Sequence, residues 1–200
     1  MKKLIILILL EVYAFSSFAQ TDSLKYTFRH PVPRNYQVKQ ALEVESLFPM
    51  FITGGYHFAV GYRYKNLRIR VSVINGGTYD AEKAGLNNSS SQFKRYYKTS
   101  PGIFAGYNVW KNLELYTYVE AHTYQVEQKS TGIKKNLYST DYGIGTSYQF
   151  FIGRGLYIQP GLHIYLRADK GVDFGNERYS VPNVDLSPVI RIGYRYWKRF

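Results

Sequence analysis

"YHFAVGYRYKNLRIRVSV", residues 56–73, alternates almost without a break. Tyr56, Phe58, Val60, Tyr62 and Tyr64 fall on one face, with His57, Ala59, Gly61 and Arg63 on the other. After Lys65-Asn66 the alternation resumes, with Leu67, Ile69, Val71 and Val73 against Arg68, Arg70 and Ser72. A period of two belongs to strands, so the stretch predicts two strands joined by a tight turn. One face is too apolar and aromatic for water, and the other carries three arginines. The apolar face meets lipid around a membrane barrel, or it lines the inside of a soluble lipocalin-like barrel. The second arrangement would display Gly55, Ala59, Gly61, Gly143 and Gly145 outward. Small residues suit the concave side of a narrow barrel, which favours lipid outside.

The same alternation recurs over residues 36–46, 102–110, 113–125, 140–151, 156–167 and 184–200. With the quoted pair this makes about eight strands, near the ~9–11 residues that a tilted membrane strand requires. Connections at Lys65-Asn66, Lys111-Asn112 and Gly153-Arg154-Gly155 are short, whereas those at 77–99, 128–137 and 168–183 are long and polar. Alternating short and long links are those of an outer-membrane barrel, with short periplasmic turns and longer outer loops. The predicted fold is all-β, a transmembrane antiparallel up-and-down β-barrel over residues 36–200. The first connection, "SLFPMF" at 46–51, is apolar where a polar outer loop is expected. Pro160 and Pro188 each remove a ladder donor, which predicts a bulge or strand end at each.

Composition agrees with an exported chain. Residues 1–19 have Lys2 and Lys3, a short apolar core "LIILILL", and small residues before Gln20, as in a secretory signal. Residues 20–35 read as an irregular periplasmic leader. The 200 residues include no cysteine, which excludes a disulfide framework and a cysteine-acylated lipoprotein. Mean hydropathy is −0.31, as expected where a polar lumen dilutes an apolar outer face. The formal charge is +12, and 21 Tyr, 12 Phe and 2 Trp are present. Tyrosine suits a membrane boundary, with its ring in lipid and its hydroxyl among headgroups.

The inward parity holds most of the candidate chemistry. Glu43, Glu45, Glu114 and Glu120 share it with Arg63, Arg68, Arg70, Arg191 and Arg195. Charges in a narrow barrel need partners, so these nine predict an ion-pair plug, with a gated narrow channel as the alternative. His57, His122 and His163 have the same parity, and His122 and Asp141 are expected at similar heights on neighbouring strands. Ser139 or Ser147 could complete a hydrolase-like trio, which would make the chain a lipid A-modifying enzyme. Inward-pointing groups fit that chemistry poorly, and the expectation is a non-enzyme with no cofactor and no metal. "FKRYYK" at 93–98 supplies Lys94, Arg95 and Lys98, and Lys134 and Lys135 follow in the next link. These five predict contact with lipopolysaccharide phosphates or another extracellular anion. "GLNNSSS" at 85–91 has the composition of a flexible linker.

The chain closes on "VIRIGYRYWKRF". A final Phe200 preceded at alternate positions by Tyr196, Tyr194 and Ile192 resembles the terminal-strand signal of bacterial outer-membrane β-barrels. Lys198 departs from the pattern, since an apolar residue is usual there. The plan of residues 36–200 resembles the small OmpA- and OmpX-type barrels. That resemblance implies a Gram-negative outer membrane, recognition of Tyr194, Tyr196 and Phe200 by the barrel-insertion machinery, and a monomer among lipid and lipopolysaccharide.

Overall fold

The structure, a computed structural model, describes residues 38–80, 92–153, 155–168 and 171–198. The signal and leader readings over 1–35, the 85–91 run and Phe200 lie outside the described residues. The elements in chain order are β1 (Gln40–Leu47), α1 (Phe48–Ile52), β2 (Gly55–Tyr64), β3 (Leu67–Gly76), β4 (Thr78–Asp80) and β5 (Phe93–Tyr97). They continue with β6 (Ser100–Trp110), β7 (Leu113–Gln128), β8 (Lys134–Tyr148), β9 (Phe150–Ile152) and β10 (Leu156–Arg167). The last are β11 (Gly171–Asp173), β12 (Arg178–Ser180) and β13 (Val184–Lys198).

Eight of these form the wall, in the order β1, β2, β3, β6, β7, β8, β10 and β13, every pair antiparallel. β13 then pairs back onto β1 with Glu43 opposite Arg195, which closes the ring. Closure gives each wall strand two partners and leaves no free edge to hydrocarbon. β9 continues the line of β8 along β10. This is the eight-stranded up-and-down barrel expected from the alternation.

The face assignment follows the parity of the quoted stretch. Ile69 is 51% exposed while its neighbours Arg68 and Arg70 are buried. Leu42, Phe58, Val71, Ile103, Ile144 and Ile190 are likewise exposed on the outer wall. Small inward residues make room for large neighbours. A Cβ on Gly193 would stand 2.4 Å from Tyr157 Cζ, and one on Gly143 2.1 Å from Tyr118 Cζ. Lys65 and Lys111 open their tight turns at φ of 52° and 47°, a region that costs a side chain about 1–2 kcal/mol.

The long links depart from the expectation of irregular polar loops. β7 runs to Gln128 and β8 begins at Lys134, so the predicted 128–137 loop shrinks to residues 129–133. β7 has 16 residues, five beyond the longest membrane strand expected, and these carry the ribbon roughly 16 Å past the wall. The 77–99 link contains β4 and β5, and β5 pairs with the upper part of β7. The 168–183 link contains the β11–β12 hairpin. The reason is apolar burial: Phe93, Tyr124, Val126, Leu137, Phe174 and Tyr179 form a core of their own, which orders the segments into a cap.

The apolar link at 46–51 forms α1, one turn with Phe48, Phe51 and Ile52 exposed. Neither proline makes a bulge. Pro160 pairs with Ile190, and its ladder to β8 and β9 lapses near Gln149 without a change of register. Pro188 pairs with Leu162, while β13 stops pairing with β1 at Arg191. In both places the strand side that lacks a donor meets a break in the neighbouring ladder.

Candidate functional site

The lumen is filled in layers, and inward parity on the wall strands places each side chain. The turn-side layer is ionic. Glu43 receives Arg63 Nε and Arg195 Nε at 2.8 Å each, and Arg68 Nη1 at 2.5 Å. Glu45 bonds Arg70, meets Arg68 Nη1 at 3.2 Å, and has Arg191 Nε 3.3 Å away. Glu114 accepts from Arg68 Nε at 2.8 Å and also bonds Arg68 Nη2. Eight of the nine charged residues read from the sequence therefore meet in one network. The ninth, Glu120, stands higher, beside His122 at 3.5 Å.

Three uncharged residues complete the ionic layer. Gln149 donates to Glu43 at 3.2 Å and accepts from Arg63 and Arg195. Gln159 donates to Glu114 at 3.2 Å and to Ser147 at 2.6 Å. The Tyr157 hydroxyl donates to Glu45 at 2.9 Å. Alternation puts all three on the inward face but does not assign them to the network. Their signal is an amide or hydroxyl at inward parity in the register of buried carboxylates. The five arginines outnumber their three glutamates, and aromatic rings take up part of the excess. Arg70 lies 4.3 Å from the Phe104 ring centroid, and Arg191 lies 5.5 Å from that of Tyr116.

An aromatic layer lies above, made of Phe104, Tyr116, Tyr118 and Tyr165. His163 sits within it, with Nε2 2.7 Å from Arg191 Nη2 and Nδ1 2.8 Å from the Tyr165 hydroxyl. His57 is used elsewhere: its Nδ1 accepts from the Leu47 backbone at 3.1 Å and ties the start of α1 to β2.

His122 and Asp141 do meet, at 3.8 Å, diagonally across the β7–β8 pair. Ser139 donates to Asp141 at 2.5 Å, and Arg167 reaches the same carboxylate at 3.2 Å. Ser147 stands opposite Glu114 in the ionic layer, eight residues along β7 from His122. Among the described residues no group of histidine and carboxylate side chains is arranged to hold a metal.

Above the aromatic layer a cavity of about 190 Å³ opens beneath the cap. Arg95, His122, Asp141, Arg167 and Asp185 line it together with Tyr97, Tyr124 and Met50. Arg167 joins Asp141 to Asp185, with 3.2 Å to each. Of the five basic residues expected in loops, four lie on strands of the cap. Lys94 and Arg95 lie on β5, and Lys134 and Lys135 open β8. Lys94 faces Glu127 in register, Lys134 Nζ stands 3.5 Å from Glu127, and Lys135 donates to the Asp173 carbonyl at 2.8 Å. Lys98 is exposed just after β5. Arg95 turns inward among the rings of Tyr79, Tyr97 and Tyr124. Burial works against its charge, but the hydroxyls of Tyr97, Tyr179 and Tyr124 outweigh it and hold the guanidinium above its ordinary value. Burial pushes the Tyr179 hydroxyl up.

Of the predicted insertion signal, Tyr194 and Tyr196 are exposed on the outer wall, their ring centroids 4.6 Å apart. No described helix is long and apolar enough to cross a membrane.

No family model matches the sequence, and no curated protein matches it. Solved structures do. The N-terminal β-barrel domain of Pseudomonas aeruginosa OprF is similar with a TM-score of 0.50 at 11% identity, over 80% of this chain and 100% of that one. Neisserial surface protein A gives a TM-score of 0.40 at 15% identity, over 80% of this chain and 94% of that one. A major outer membrane protein from Thermus thermophilus gives 0.40 at 13%, over 78% and 99%. At such identity the OprF likeness is one of fold, and with the closed ring it makes this chain an eight-stranded β-barrel of the outer-membrane type.

Proposed function

We propose that the protein is a Gram-negative outer-membrane barrel of structural or surface-interaction type, exported by its signal and working as a monomer. The wall lies in lipid, the lumen is closed by its own charges, and the cap is the working surface. The observation that carries this reading is the ionic layer. Glu43 is 0% exposed, with three arginines on it from β2, β3 and β13, so the cross-section is occupied where a solute would have to pass. The apolar outer wall supports lipid contact. Exposed Tyr62, Tyr64, Tyr107, Tyr194 and Tyr196 near the short turns fit an interfacial girdle. Lys94, Lys98, Lys134 and Lys135 lie on the cap side, where lipopolysaccharide phosphates would meet them. Tyr194 and Tyr196 remain the residues offered to the insertion machinery.

The reading is of a non-enzyme. A triad needs the serine bonded to the imidazole, whereas Ser139 donates to Asp141. Reconstitution into planar bilayers tests the proposal. A plugged lumen gives no unitary conductance, and a stable unitary conductance would favour the narrow channel instead.

A further inference from the structure

The cavity beneath the cap has room that the lumen below lacks. A water's share of liquid volume is about 30 Å³, so about 190 Å³ holds several waters or one small organic molecule. Its walls are mixed. Met50, Tyr97, Tyr124, Tyr165 and Val189 present apolar surface, and a few charged groups converge among them. All of these stand on wall strands, on β5 or on α1, so the shape is preformed.

The charges do not balance one another evenly. Asp141 and Asp185 are both engaged by Arg167, whose third contact is the Pro182 carbonyl at 3.1 Å. Arg95 makes no ion pair with a carboxylate among the described residues, since the Asp141 and Asp185 of the same cavity are held by Arg167. Its Nη1 reaches the Tyr179 hydroxyl at a long 3.4 Å, and tyrosine ring centroids lie 4.9, 5.1 and 5.5 Å from its guanidinium carbon. Arg95 Nε is buried without a hydrogen-bond partner. His122, 4% exposed, also lines the cavity with its Nδ1 unpartnered. Buried donors left unpaired are costly, and the guanidinium fork matches a carboxylate.

We propose that this vestibule binds a small organic carboxylate with a flat apolar body, anchored by Arg95 and packed against Tyr97, Tyr124 and Tyr165. The inference rests on the reading of the cap as the solvent-reached outer face.

Titration of the full chain in detergent micelles with benzoate, and with the neutral isostere benzamide, tests it. Benzoate binds, and benzamide binds about tenfold more weakly or worse, since a hydrogen bond to a charged group is at stake. Arg95→Gln removes the preference. Met50→Trp fills the cavity from α1 and abolishes benzoate binding while the wall ring stays intact, which keeps the test sound if Arg95→Gln fails to fold. Equal binding of both probes, no binding by the natural chain, or benzoate binding unchanged in Met50→Trp overturns the proposal. Failure here with no conductance leaves the scaffold reading standing, whereas conductance with binding intact defeats the scaffold reading alone.

Discussion

Glu43 on the first wall strand and Arg195 on the last are direct register partners, and Arg195 Nε donates to Glu43 at 2.8 Å. The barrel is thus pinned at its closing seam by an ion pair buried inside it. A one-residue slip of β13 along β1 would turn every inward charge of that strand to lipid. The same Glu43 takes Arg63 and Arg68, so the seam and the plug share one carboxylate.

Glu43→Gln should therefore be among the most damaging single changes. It leaves three arginines without their shared anion, and breaking a buried pair from one side costs about 3–5 kcal/mol. The urea midpoint of the micelle-reconstituted protein should fall accordingly. A midpoint within error of the natural chain would mean that the lumen charges do not hold the barrel.

Val71→Arg asks which solvent the outer wall meets. Val71 is 55% exposed midway along β3. In water such an arginine is nearly neutral, but at the bilayer midplane it costs about 2–4 kcal/mol. Folding yield into lipid vesicles should drop for Val71→Arg and stay level for Ile133→Arg at the tip of the β7–β8 ribbon. Equal yields would contradict the lipid-facing assignment.

Gly193→Ala should destabilise chiefly through Tyr157, because the three atoms nearest to the added methyl all belong to that side chain. Overpacking of this kind costs about 1–3 kcal/mol. In a Tyr157→Leu background the same change should cost little. An additive pair in the double-mutant cycle would place the strain elsewhere.

Phe93→Ala separates cap from barrel. Phe93 is buried against Phe174 and Tyr179, with ring centroids 5.2 and 5.6 Å away. Losing it costs about 3–5 kcal/mol of cap packing. Protease added to intact cells should then cut within β5 or the β11–β12 hairpin while the wall stays folded. Loss of the folded barrel as well would show that the two are not separate cores.

The wall is legible in the sequence because every strand repeats one period, and Arg68, Ile69 and Arg70 already state both faces. The charged lumen residues are legible for the same reason, since a charge on the inward parity of a narrow barrel has few places to go. The cap is not, because Phe93, Leu137, Phe174 and Tyr179 come from three links whose composition is polar on average. Their packing depends on long-range placement that periodicity does not carry. Arg95 is hidden likewise: "FKRYYK" reads as a basic surface run, and only the pairing of β5 with β7 turns Arg95 toward the rings. Phe104 shares the inward parity of Gly102 and Gly106, but parity alone does not say that it stacks on Tyr118 in a lumen layer.

The most direct test of the whole account is the mobility of the protein from the outer-membrane fraction, run on a detergent gel with and without boiling. A ring of strands closed by backbone hydrogen bonds resists detergent, so the unboiled protein should migrate at a different apparent size and collapse to 23.3 kDa after heating, less any leader removed on export. A chain found in the soluble fraction, with one mobility under both conditions, would contradict the membrane barrel and turn the row from Tyr56 to Tyr64 inward.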